Sequence, residues 1–202
     1  MLYPRTTEIN GEEVLVDSEQ VVGYREHLTN VHRMVFVTGS LGGEYESHNT
    51  LIALDTVSHD PIKMIITSPG GDLDNAFLFY DTMTLINSPI ITIGRFCASA
   101  AALILAAGSK RYLFPHAKVM MHLAIGQASG DIRMWEIQHT QMRMYQDKII
   151  DILLSCGVKK SREQILADID REFWLEPQEA IEYGLADEII TPKIWYELTK
   201  EK

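Results

Sequence analysis

Met64-Ile65-Ile66-Thr67-Ser68-Pro69-Gly70-Gly71-Asp72 is a β-favouring apolar run cut off by a Ser-Pro-Gly-Gly turn, with an acidic residue placed to open a helix. The run is too short for a helix and lacks polar alternation, which suits a strand buried on both faces. Asp72 or Asp74 fits the N-cap of a helix through Phe77, Tyr80, Met83 and Leu85. The same unit recurs on either side. Met34-Val35-Phe36-Val37 is a strand ending at Gly39, and 49–57 repeats apolar residues at helical spacing (Leu51, Ile52, Leu54, Val57). Ile90-Ile91-Thr92-Ile93-Gly94 is a third strand, and the small-residue run 99–107 a third helix. Strand alternating with helix predicts an α/β fold around a largely parallel, buried sheet.

The second half reads differently. Lys118-Val119-Met120-Met121-His122 is a strand, and 131–156 is one long helix without Pro or Gly. Its apolar residues fill two stripes, Ile132, Trp135, Met142 and Ile149 on one and Met134, Ile137 and Met144 on the other. One stripe suffices to face a core, so the second predicts packing against another subunit. The first 30 residues are polar and acidic, and read as a loosely ordered N-terminal arm with at most a short strand at Val14–Val16.

At 202 residues the chain builds one sizeable core, and we expect a single domain over 1–202. Eighteen Lys plus Arg against 28 Asp plus Glu leave a net charge of −10, with no basic run to hold nucleic acid. No apolar stretch reaches the ~18 residues of a membrane span, and Met1-Leu2-Tyr3-Pro4-Arg5 lacks the layout of a secretory signal. Cys97 and Cys156 support neither a disulfide framework nor a zinc site, and no metal-ligand spacing stands out. A soluble, cytoplasmic protein without a cofactor is expected.

Two glycine-marked strand-to-helix turns, 68–71 and 94–100, deliver helix N-termini whose unpaired N–H groups can face an anion. Read alone, each is as well explained as a tight turn. Ser99, in the second, is either an N-cap or a nucleophile with small neighbours that leave room around its hydroxyl. A serine needs a base. Of seven histidines only His122 ends an apolar β-run, where it is either a buried core residue or a general base held by a sheet. An orienting carboxylate for that histidine has three candidates, Asp168, Asp170 and Glu172, among which spacing does not choose.

Taken in order, these segments resemble the proteolytic subunit family of the Clp protease, ClpP. The resemblance runs from about Arg33 to Ile190: the strand Arg33-Met34-Val35-Phe36-Val37, the loop Ser68-Pro69-Gly70-Gly71 with Tyr80-Asp81-Thr82-Met83 beyond it, and Ala98-Ser99 with 103–108. Val119-Met120-Met121-His122, Asp170-Arg171-Glu172-Phe173 and 179–187 follow in the family's order. The resemblance implies a crotonase-like α/β spiral of β-β-α units with a protruding handle helix at 131–156. It implies a serine endopeptidase that degrades unfolded polypeptides, assembled as a homo-oligomer of stacked seven-membered rings and fed by an AAA+ unfoldase.

Ser99 would be the nucleophile, His122 the base, and the backbone N–H groups of Gly70 and Ala100 the oxyanion hole. Glu172 aligns with the family's catalytic aspartate. The family's Gln-Pro after the histidine is Leu123-Ala124 here, its glycine pair reduces to Gly126, its Met after the nucleophile is Ala100, and its N-terminal signature is not recognisable in 17–32. These departures keep a catalytically weak or inactive ring subunit as the alternative. Tyr112, Phe114 and Ile190 are candidate docking pockets. A crotonase-type acyl-CoA enzyme, or a Ser–Lys peptidase using Lys110 or Lys118, are further readings.

Overall fold

The computed structural model describes residues 5–9, 12–16, 18–42 and 46–200. A six-stranded sheet carries the fold, in the order β3 (Met34–Thr38), β4 (Ile62–Ser68), β5 (Ile90–Ala98), β6 (Lys110–Met121) and β7 (Phe173–Leu175), with β8 (Glu188–Ile189) pairing β6. β3 to β6 are parallel neighbours in chain order, and β7 closes the row antiparallel. Parallel neighbours need crossovers. These are α2 (Glu46–Val57), α3 (Leu73–Leu85) and α4 (Ala100–Ala106), which pack successively against one another. The parallel α/β layout read from the sequence is the one observed.

Side chains alternate across the sheet with a period of two. Val35, Val37, Ile62, Met64, Ile66 and Leu113 join the main core under the crossover helices. Met34, Ile65, Ile93 and Ile190 face the other way, against Leu28 of α1 (Ser18–His32) and Ile194, Trp195 and Leu198 of α8 (Pro192–Thr199). Ile190 is therefore buried, and the Phe114 ring packs at a tilt against Trp195. Of the candidate docking residues, Ile190 is thus in the core beneath α8 of the same chain and Phe114 is partly covered by it.

The N-terminal segment holds more regular structure than its composition suggests. β1 (Arg5–Ile9) and β2 (Glu12–Val16) pair antiparallel, and α1 follows; Met1–Pro4 and Asp17 lie outside the described residues. The long helix α5 (Ile132–Ser155) starts where expected, with Asp131 as N-cap accepting from the Arg133 and Met134 amides. Ile150 and Leu153 are its buried positions, while Ile132, Trp135 and Ile137 are 77%, 56% and 55% exposed. α6 (Arg162–Asp168) and α7 (Pro177–Tyr183) are the remaining helices, each with a capping box. Among the described residues no helix is long and apolar enough to cross a membrane.

A polar knot fixes the entrance to the sheet. Arg33, at φ 52, donates to the carbonyls of Leu54, Ser58 and Asp60 and to the Ser88 hydroxyl. Asp55 accepts from the Ser88 amide at 2.7 Å, its hydroxyl at 2.8 Å, and His59 Nδ1 at 3.0 Å. Desolvation pushes the Asp55 carboxyl up, but the bonds from Ser88, His59 and the Asn87 amide outweigh it and hold the pKa near about 2, below the ordinary 3.8. The ionised form is thus favoured in the fold. Asp55→Asn is expected to destabilise the protein by a constant amount above about pH 4, where the aspartate is charged folded and unfolded. The difference should shrink between about pH 4 and 2 as the native carboxylate protonates. Urea titrations at neutral and acid pH check this, and a gap that widens on acidification would contradict it.

Candidate active site

The sheet register brings the chemistry-bearing turns together. Between Gly94 and Phe96 the β5–β6 pairing jumps, from Gly94 opposite Leu113 to Phe96 opposite Lys118. The upper ladder then runs Cys97 with Val119 and Ala98 with Met120, and closes when the Ser99 amide donates to Met120 O at 2.8 Å. Ser99 and His122 consequently leave adjacent parallel strands at the same end. That is the end where open α/β sheets present their ligands.

Ser99 stands between β5 and α4 with φ 56 and ψ −127. A non-glycine residue in this region costs about 1–3 kcal/mol and persists only where its surroundings impose it. Although it occupies the N-cap, its hydroxyl makes no capping bond. The cap explanation for this serine therefore fails. The following helix is buried along its whole length, from Ala100 to Ala106, so its alanines serve close packing as well as the space beside the hydroxyl.

Gly70 and Gly71 form the opposite wall, at φ +89 and +147. A Cβ on Gly70 would stand 2.6 Å from Ala98 O, 2.8 Å from Ser99 Cβ and 2.9 Å from Ala100 N. On Gly71 it would meet Leu41 O at 2.4 Å. Only glycine permits both the conformation and the approach. The sequence reading assigned the Gly70 amide to the oxyanion hole, but in the structure that N–H donates to the buried Ser68 hydroxyl at 3.0 Å. Gly71, with an N–H bonded to no described residue, is the glycine that lines the cavity. The Ala100 amide, at the start of α4, is likewise without a described partner.

The cavity, of about 250 Å³, is lined by Ser99, Ala100 and His122 with Pro69, Gly71 and Ala124, and by apolar side chains that include Leu73, Leu103, Met121 and Ile149. No hydrogen bond joins Ser99 to His122 in the free chain; such contacts commonly form only with substrate. His122 Nδ1 donates instead to Leu123 O at 2.5 Å. That bond places the proton on Nδ1 and leaves Nε2 as the basic nitrogen. Of the other histidines with described side chains, none lines this cavity: His48 packs on Phe79, His59 bonds Asp55, and His139 accepts from Arg143.

None of the three candidate acids contacts the imidazole. Glu172 is exposed and accepts from Trp174 Nε1 at 3.0 Å. Asp168 accepts from the Tyr183 hydroxyl at 3.0 Å, and Asp170 pairs with Arg171. What their segment does supply is a backbone acceptor, because the Leu123 amide donates to Ile169 O at 3.0 Å. Lys110 and Lys118 are paired with Glu188 and Glu176 on the surface, outside the cavity. Cys97, buried beneath the turn, has its thiol pKa pushed up by desolvation and is inert as a nucleophile.

The geometry agrees with the comparisons to known proteins. The family model described as Clp protease matches residues 18–193. The chain is 38% identical over 168 residues to ATP-dependent Clp protease proteolytic subunit 1 of Rhodopirellula baltica, covering 79% of this chain and 72% of that protein. It is 33% identical over 181 residues to proteolytic subunit 2 of Pseudomonas aeruginosa, covering 86% and 89%. A solved structure of a mutant ClpP1 from Listeria monocytogenes aligns with a TM-score of 0.76 at 28% identity, over 84% of this chain and 97% of that one. The chain has the ClpP fold, the α/β spiral with a long helix that the sequence predicts. It belongs to the Clp protease family, a family of serine peptidases.

The contact geometry separates two otherwise similar glycines. Gly70→Ala is expected to lower the thermal midpoint well below that of Gly39→Ala. Both positions have positive φ, but a Cβ on Gly39 meets nothing within 4 Å. Equal midpoints by calorimetry would show that backbone conformation alone, and not the approach to Ser99, demands Gly70.

Proposed function

We propose that this protein is a serine endopeptidase in which Ser99 is the nucleophile and His122 the general base and then acid. The observation that carries the reading is the strained, uncapped Ser99 at a strand-to-helix junction, sharing one cavity with His122, whose Nδ1 is engaged by Leu123 O. Ser99 Oγ attacks the peptide carbonyl as its proton passes to His122 Nε2. The amides of Ala100 and Gly71 bind the oxyanion; Gly71 replaces Gly70, whose N–H is already committed. His122 then protonates the departing amine, and water hydrolyses the acyl-enzyme by the reverse sequence. Each oxyanion donor is worth ~10²–10³ in turnover. The apolar lining beyond the serine suits an apolar side chain on the acyl side of the cut bond.

In this arrangement Leu123 C=O orients the imidazole, and Glu172 does not. The finer assignments are proposals, supported by family membership and, for assembly, by the exposed apolar face of α5. They are a homo-oligomer of stacked seven-membered rings, a chamber that admits unfolded polypeptide, supply by an AAA+ unfoldase, and a cytoplasmic location. Large exposed apolar faces are rare on monomers.

Ser99→Ala is expected to abolish cleavage of a short fluorogenic peptide and labelling by a fluorophosphonate, with assembly retained by sedimentation. Glu172→Gln is expected to keep turnover within about threefold, against the ~10⁴-fold loss that follows neutralising a true triad acid. An unlabelled Ser99 in assembled rings would favour the inactive structural subunit. Collapse of activity in Glu172→Gln would return the acid to the triad.

A further inference from the structure

The segment after His122 lies along α5 and is clipped to it from the helix side. Gln146 Oε1 accepts from the Ala124 amide at 2.7 Å, and Gln138 Oε1 accepts from the Ser129 amide at 3.0 Å. Between these clips, Gly126 sits so close to Met142 that a side chain there would overlap the thioether methyl. The clip at Gln146 bears on the site. The peptide unit joining Leu123 to Ala124 is trans, so its C=O and N–H point in opposite directions. Its C=O accepts from His122 Nδ1, and its N–H donates to Gln146. The preceding amide, of Leu123, is tied to Ile169 O.

We propose that Gln146 is a positioning residue for His122, acting through the Leu123–Ala124 peptide unit, which stands where a triad acid would. This rests on the serine-peptidase reading above. Holding the N–H of that unit aims its C=O at Nδ1, which fixes the ring and keeps Nε2 free of its proton. A chain of amide bonds also polarises along its length, so the bond at Gln146 makes Leu123 O a better acceptor when the imidazole becomes charged. The orientation of the Gln146 amide is dictated by its partner. Its Nε2, buried and without a partner among the described residues, cannot face another donor, so the oxygen must point to Ala124. The link depends on Ala124 itself. The Gln-Pro pair that the family carries after its histidine has no N–H at the second position, so proline there could not donate to Gln146.

The test combines a nitrogen NMR measurement of the His122 ring with single-turnover labelling of Ser99 by a fluorophosphonate, on assembled protein. In the unsubstituted chain the ring is expected as the Nδ1–H tautomer. Gln146→Leu removes the acceptor at similar volume. It should mix in the Nε2–H tautomer and slow labelling about tenfold, part of the ~10²–10⁴ that a general base supplies.

Gln146→Glu keeps an acceptor. It should restore labelling and move the acid limb of the pH–rate profile upward, since a negative charge two bonds along the chain favours the imidazolium. A merely structural glutamine would leave that limb in place. An unchanged tautomer in Gln146→Leu overturns the proposal, as does equal loss in both variants with an unmoved limb. If the tautomer responds as expected while Ser99 never labels, the positioning role stands and the peptidase reading falls.

Discussion

The site depends on one close approach: the backbone of Gly70 against the turn that carries Ser99. With a Cβ at Gly70 excluded by Ala98 O, Ser99 Cβ and Ala100 N, the two loops act as one rigid object. Each is the end of a buried parallel strand, and the ladder continues through the Ser99 amide to Met120 O. The unfavourable φ of Ser99 is imposed from three sides: by the glycine wall, by β6, and by a following helix with no exposed residue. None of these can relax alone. A hydroxyl held in this way cannot turn to cap the helix, which leaves it available for chemistry.

Most of the fold was legible because its signals are local. Short apolar runs ended by Gly or Pro marked β3, β4 and the first half of β5, which continues past Gly94 to Ala98, and the glycine-free run marked α5 to within a residue at each end. What escaped was weakly patterned or non-local. α1 mixes polar and apolar residues without a stripe and was read as part of a loose arm, as was β1. β6 starts eight residues before the run at Lys118, since Pro115 and His116 break the pattern where the register jumps and pairing resumes beyond them.

The site shows the same division. Ser99 and His122 could be picked out as candidates from the sequence because a strand end announces itself in the run before it, and both line one cavity. The choice between Gly70 and Gly71 could not, since it turns on the Ser68 hydroxyl claiming one amide. Nor could Glu172 be separated from its neighbours, because what decides its partner is the indole of Trp174, two residues along and on the same side of β7. Alignment ranks residues by position, whereas hydrogen bonding depends on where the side chain points. The two criteria part company at this glutamate.

A carbonyl in place of a carboxylate changes how the work is distributed. A carboxylate both fixes the tautomer of the base and offsets the positive charge that grows on it. A carbonyl does the first as well and the second less, since it brings a dipole and no net charge. In the proposed mechanism more of the transition-state stabilisation then falls to the amides of Ala100 and Gly71, which act on the opposite charge in the same small volume. Those amides belong to the turns that follow two buried strands, β4 and β5. The proposed base, His122, is followed by a segment clipped to α5 through Gln146, and α5 also carries the exposed apolar face. In the proposed reading, covering that face and aligning the imidazole are tasks of one helix. A partner seated on it would bear on the imidazole side of the site, through Gln146, rather than on the proposed oxyanion side.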